Sequence, residues 1–307
     1  MDFAKEIEKL RKKKNAIILA HYYQYPEIQD IADYVGDSLG LSKQAASTDA
    51  DMIVFAGVHF MAETAKIINP SKTVVLPDLE AGCSLADSCP ANSLQSLKDE
   101  NPNHVVVSYI NCSADVKAIS DIICTSSNAV RVVESIPANK EIIFAPDENL
   151  GRYVSEKTGR DMLLWEGNCE VHIEFSNAKI EKIQIDYPNA KLIAHPESQQ
   201  QILDQSEFIG STSALLDYVS TDDAKEYIVA TEVGILHKMK QLAPEKKYIP
   251  APITENNTCA CSECPYMKLN TLEKIYNCMK NELPQIHVKE EIRNKAQKAM
   301  DNMLLLG

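Results

Sequence analysis

Ala16-Ile17-Ile18-Leu19-Ala20 is a short apolar, β-branched run that closes on His21-Tyr22-Tyr23, and the chain repeats it twice. Val105-Val106-Val107-Ser108 closes on Tyr109-Ile110-Asn111, and Leu192-Ile193-Ala194 closes on His195-Pro196-Glu197. Runs of this length and composition read as buried parallel strands. Each follows a helical pattern: Phe3, Ile7 and Leu10 share a face of the first, and similar stretches cover 91–100 and 177–187. The strand ends at 21, 109 and 195 lie 88 and 86 residues apart.

Second strands are expected at Met52 to Val58, Ile122 to Ser126 and Phe208 to Ser211, and third strands at Thr73 to Asp78, Glu141 to Asp147 and Glu226 to Glu232. Gly57 to Asp78, Ser126 to Asp147 and Ser211 to Glu232 each span 21 residues. Equal crossovers at three places predict an internal triplication of about 86 residues per copy. The expected fold class is α/β, with three homologous three-layer αβα domains, each a doubly wound parallel sheet of three strands. The boundaries fall at 1–88, 89–172 and 173–265, followed by a helical tail, 266–307, whose Ile292, Ala296, Ala299, Met300 and Met303 pack across the repeats. Copy one reads as carrying about 19 extra residues between its first and second strands, including Asp37-Ser38-Leu39-Gly40. An insertion at a strand's carboxyl end is where α/β units keep ligand loops.

Composition bounds the function. The chain has 307 residues, 45% of them hydrophobic and 24% charged, enough to bury a core. No apolar run approaches the ~20 residues a bilayer requires, and Met1-Asp2-Phe3-Ala4-Lys5-Glu6 lacks the layout of a secretion signal. A net charge of −13 and a pI near 5.1 argue against nucleic-acid binding. A cytoplasmic, soluble protein is expected, with neither nucleic acid nor membrane as partner.

Nine cysteines in a reducing compartment are free thiols, redox groups or metal ligands. One cysteine-bearing loop follows each third strand: Gly82-Cys83-Ser84, Asn168-Cys169-Glu170-Val171-His172, and Cys259-Ala260-Cys261-Ser262-Glu263-Cys264-Pro265. If three similar sheets turn their carboxyl ends to one axis, one thiolate per copy meets in a pseudo-threefold cavity. That set suits a [4Fe–4S] cluster with its fourth iron open as a Lewis acid. Taken alone, the Cys-x-Cys-x-x-Cys segment also fits half a zinc site or a redox pair. Cys112, Cys124 and Cys278 read as buried small hydrophobes, and Cys89 before Pro90 as a turn residue.

Several polar residues stand where these strands end. His21 and His195 occupy one position in copies one and three, where copy two has Tyr109. Paired there they suit binding a substrate or moving its protons. Tyr23, Tyr109 and Asn111 suit hydrogen bonds to carboxylates. Ser126, Ser127, Ser211 and Thr212 stand where second strands give way to helices, positions that serve as anion sites or as helix N-caps. His59 and Glu63, at a helix start, read as structural.

These stretches together resemble the quinolinate synthase family. The matching segments include Leu19-Ala20-His21-Tyr22-Tyr23-Gln24, Gly36-Asp37-Ser38-Leu39, Pro77-Asp78-Leu79-Glu80-Ala81-Gly82-Cys83-Ser84, Cys124-Thr125-Ser126-Ser127-Asn128, Cys169-Glu170-Val171-His172, Gly210-Ser211-Thr212-Ser213 and Cys264-Pro265-Tyr266-Met267, and the resemblance runs end to end. It implies a triangular three-domain arrangement around a [4Fe–4S] cluster. It also implies a transferase that condenses iminoaspartate with dihydroxyacetone phosphate, losing phosphate and two waters, to give quinolinate for NAD biosynthesis. On that resemblance Cys83, Cys169 and Cys264 hold the cluster, Cys264 being chosen because Pro-Tyr-Met follows it. Ser38 and His172 fall among the substrate-binding positions, and Glu174 matches a general base. An aspartate oxidase or dehydrogenase is the implied source of iminoaspartate. Two other readings are an iron–sulfur hydro-lyase acting on a hydroxy acid, and a non-catalytic zinc or redox-sensing protein.

Overall fold

The computed structural model describes residues 1–254 and 262–306. Twelve strands form three separate sheets among them. The first sheet contains β1 (Ala16–His21), β2 (Tyr34–Gly36), β3 (Met52–Ala56) and β4 (Thr73–Val75). The second contains β5 (Val105–Tyr109), β6 (Ile122–Cys124), β7 (Ile142–Ala145) and β8 (Leu163–Leu164). The third contains β9 (Lys191–Ala194), β10 (Phe208–Ile209), β11 (Glu226–Ala230) and β12 (Lys247–Pro250). Their orders are β2-β1-β3-β4, β6-β5-β7-β8 and β10-β9-β11-β12, and every pairing is parallel. Helices flank the sheets as expected of three-layer αβα units.

The repeat is closer than the sequence reading allowed. Leu19 pairs with Tyr34, Val107 with Ile122 and Ile193 with Phe208, a separation of 15 residues in every copy. An acidic residue precedes each second strand and closes it against the first. Asp33, Asp121 and Glu207 accept from the backbone N–H of Ile18, Val106 and Leu192 at 2.8, 2.8 and 2.7 Å.

Three expectations are corrected. Each sheet has four strands, not three. Copy one has no insertion: the supposed extra residues are β2 and its flanking helices Pro26–Ile31 and Ser38–Ser47. Tyr34–Gly36 is three residues long and sits between Asp33 and Asp37, so it reads as loop. Met52–Ala56 is therefore the third strand, equivalent to β7 and β11, and the equal 21-residue spacings compared non-equivalent crossovers. Consequently the cysteine loops follow the fourth strands: Cys83 comes after β4, Cys169 after β8 and Cys264 after β12.

In sheets of this order the ligand crevice lies at the carboxyl ends of the two central strands, where the chain switches direction. His21, Tyr109 and His195 stand at that point, one in each sheet. The C-terminal helix Glu290–Leu305 buries Ala296, Ala299, Met300 and Met303 in the core shared with residues of the first two sheets, such as Phe55 and Ile123. Helix Leu272–Asn281 packs on helix Phe3–Lys13 over the opposite face of the first sheet.

Candidate active site

The three strand-end residues and all three cysteines line one cavity. Cys83 precedes the short helix Ser84–Asp87, Cys169 precedes the 3₁₀ turn His172–Glu174, and Cys264 leads into the turn Met267–Leu269. Burial pushes all three thiols above their ordinary range, Cys264 to about 11.

The histidines are held alike. The backbone N–H of Tyr23 donates to His21 Nδ1 at 3.2 Å, and that of Glu197 donates to His195 Nδ1 at 3.4 Å. Nε2 therefore carries the ring proton in both neutral imidazoles, and His195 Nε2 lies 3.1 Å from Ser126 Oγ. Burial depresses His21 to about 4 and His195 to about 3, so both are neutral at physiological pH. Tyr23 and Tyr109 are pushed well above 10 by burial and keep their phenolic protons.

Glu197 is a buried acid of the site, 3% exposed. Its Oε2 lies 2.7 Å from His172 Nδ1 and 3.7 Å from His195 Nδ1. Burial opposes its ionisation, but His172 and the Tyr109 hydroxyl hold the carboxyl well below its usual range. His172 Nδ1 is also 3.2 Å from Cys169 Sγ.

Ser38, Ser126, Thr212 and Asn111 line the cavity as expected. Ser38 and Thr212 each open a ten-residue helix, so free backbone N–H groups face the same space. The Asn111 side-chain oxygen is buried and has no hydrogen-bond partner within the protein. Ser211 and Ser127 are not among the lining residues. Ser211 Oγ accepts from the Ala214 N–H as a helix cap, and Ser127 Oγ donates to Asp37 Oδ2 at 2.6 Å.

Glu174 does not line the cavity either, and its carbonyl accepts from Thr254. Glu197, by contrast, lines the cavity. Its signal was the His-x-Glu spacing at the third strand end, quoted as part of a motif but given no role. Asp37, Glu170 and Glu232 also line the cavity and were missed.

Glu63 accepts from the Ala114 N–H and lies 3.8 Å from His59, and Cys112, Cys124 and Cys278 are buried. Cys89 stands in the turn after helix Ser84–Asp87 and is buried beside Leu94 and Val106. Cys259 and Cys261 lie outside the described residues.

No Lys or Arg is among the described residues lining the cavity, whereas three thiols and four carboxyl groups are. Such a donor set fits a metal, which would hold thiols as thiolates where burial alone keeps them protonated. The Cys169 sulfur, a His172 nitrogen and a Glu197 oxygen lie within 4.8 Å of one another, close enough to share an ion.

Comparison with known proteins shows the family. The family described as quinolinate synthetase A protein (NadA) matches residues 5–305. A quinolinate synthase of Synechococcus sp. is 58% identical over 306 residues, covering 100% of this chain and 95% of the relative. That of Nostoc sp. is 60% identical over 304 residues (99% and 93%), and that of Chloroherpeton thalassium is 57% identical over 307 (100% and 95%). An identity near 60% across all three sheets, the cysteine loops and the tail means that the chain belongs to the quinolinate synthetase A family of enzymes.

Proposed function

We propose that the chain condenses iminoaspartate with dihydroxyacetone phosphate to quinolinate, releasing one phosphate and two waters, in NAD biosynthesis. An aspartate oxidase or dehydrogenase supplies the iminoaspartate. Cys83, Cys169 and Cys264 hold a [4Fe–4S] cluster. The observation that carries this reading is the convergence of one cysteine from each of three separate loops on a single buried cavity with imidazole, phenol and hydroxyl groups. When bound, the cluster supplies an open iron, a Lewis acid for a hydroxyl that leaves as water.

The chain's own residues bind, orient and move protons. Both substrates are anions, yet no lysine or arginine among the described residues lines the cavity. The N-termini at Ser38 and Thr212, with the Ser126 hydroxyl, are its anion-binding groups. The orphaned Asn111 oxygen accepts from an imine or hydroxyl proton of the substrate. Glu197, ionised and anchored by His172 and Tyr109, is the base for enolisation and cyclisation. Neutral His21 and His195 present ring N–H groups and pass protons between substrate atoms.

The test is iron and acid-labile sulfide per chain on anaerobically purified protein, with Mössbauer spectra, followed by an assay of quinolinate and phosphate. Four irons and four sulfides, one iron shifted by substrate, and stoichiometric release of phosphate are expected. Zinc in place of iron, or turnover of a hydroxy acid without phosphate release, overturns the reading.

A further inference from the structure

Thr231 stands directly after β11, and the equivalent positions in the other sheets, after β3 and β7, are Gly57 and Pro146. Only the third copy has a hydroxyl there. Thr231 is 1% exposed and does not line the cavity. Its Oγ1 lies 2.6 Å from the Tyr23 hydroxyl and 3.0 Å from His172 Nε2. One side chain of copy three thus joins the phenol that follows β1 to the imidazole that follows the second cysteine loop.

We propose that Thr231 is a positioning residue of the active site, fixing Tyr23 and His172 relative to each other; the inference rests on the function proposed above. A hydroxyl has one proton and two lone pairs, so it satisfies both neighbours whichever way the imidazole is protonated. It donates to a bare Nε2 while accepting from Tyr23, or accepts from Nε2–H while donating to Tyr23. Either way the Tyr23 proton and lone pairs are oriented before substrate arrives. His172 Nδ1 at the same time stays directed at Glu197 Oε2, 2.7 Å away.

The backbone around Thr231 is built to hold this contact. Its carbonyl accepts from Ser262 Oγ at 3.1 Å, and the Val233 N–H donates to the Ser262 carbonyl at 3.0 Å. Gly234 lets the same loop close on Tyr23: a Cβ there would lie 2.8 Å from the Tyr23 Cα and carbonyl carbon. A valine at 231 keeps the shape and removes both hydrogen bonds.

The experiment compares wild type with Thr231→Val, Thr231→Ser, Tyr23→Phe and the Tyr23→Phe/Thr231→Val double variant, all anaerobically purified. Iron content and melting temperature are measured alongside kcat and KM for quinolinate formation. Thr231→Val is expected to load iron normally, to keep KM within about threefold and to lose about 10²-fold in kcat, the cost of a slightly misplaced group. Serine restores kcat to within a few-fold. In the Tyr23→Phe background the valine costs less than it does alone.

A valine variant with wild-type kcat, a serine variant as slow as valine, or additive losses in the double variant overturns the proposal. Should valine fail to load iron, Thr231→Ala carries the same comparison. Failure of every hydroxyl-free variant to load iron assigns Thr231 to folding and overturns it too. Absence of quinolinate from the wild type sinks the proposed function instead.

Discussion

Lys268→Met tests how the third cysteine loop is held. Lys268 Nζ lies 2.9 Å from Glu232 Oε1 and donates to the Tyr23 carbonyl at 2.7 Å. The Glu232 side chain is 0% exposed and also accepts from the Gly234 N–H at 2.7 Å and the Cys264 N–H at 3.2 Å. Burial pushes its carboxyl up to about 7 even with Lys268 pulling it down. Without the lysine it rises further, and the buried acid keeps its proton to higher pH.

The pH dependence follows from linkage. Between about 4.5, where the unfolded carboxyl titrates, and about 7, both folded proteins hold a proton that the unfolded chain has lost. Both lose stability with rising pH at the same slope there, so the gap between them is flat. Above about 7 wild type ionises and its loss levels off, while the variant goes on losing about 1.4 kcal/mol per pH unit. The flat part of the gap is the lost hydrogen bond to Tyr23, about 1–3 kcal/mol. Between pH about 6.5 and about 8.5 the gap widens by about 2 kcal/mol. The total then reaches the about 3–5 kcal/mol expected when half of a buried ion pair is removed. Urea denaturation of the metal-free chain at both pH values, followed by circular dichroism, measures this. A gap that stays flat or narrows refutes the reasoning, and adding Glu232→Gln to the variant abolishes the widening.

Three further outcomes follow. Serine at Cys83, Cys169 or Cys264 lowers iron per chain by metal analysis, whereas serine at Cys89, Cys112 or Cys124, buried away from the cavity, leaves it intact. Glu197→Gln, which keeps the shape but removes the carboxylate proposed as base, lowers kcat by about 10²–10⁴ with iron retained, and Glu174→Gln leaves steady-state turnover within a few-fold of wild type. Met300→Ala, a fully buried position on the C-terminal helix, costs about 2–5 kcal/mol and lowers the melting temperature without changing the iron stoichiometry.

What the sequence revealed and what it hid have a common physical origin. A buried parallel strand must be apolar on both faces, so β1, β5 and β9 stand out as runs of Ile, Val, Leu and Ala. Strands of two or three residues at sheet edges, such as Tyr34–Gly36 and Leu163–Leu164, carry too little pattern to be read. Missing the first of these displaced the alignment of copy one by a whole strand. The cysteines were legible because thiols are few and their loops recur; Thr231 and Glu232 were not, because Thr and Glu are common and only the folded chain brings them to Tyr23 and Cys264.

With the strands aligned, the chemistry lies where the copies differ. At the end of the first strand stand His21, Tyr109 and His195, and after the third stand Gly57-Val58, Pro146-Asp147 and Thr231-Glu232. A perfect threefold site would offer a substrate three equivalent orientations. Differences at these positions place the Glu197 acid–imidazole network on the side shared by copies two and three and the Tyr23–Thr231 contact between copies one and three. The repeat supplies a rigid convergent scaffold, and departures from it select one orientation, so substitutions that restore equivalence, such as Thr231→Gly, are expected to slow turnover more than they lower stability.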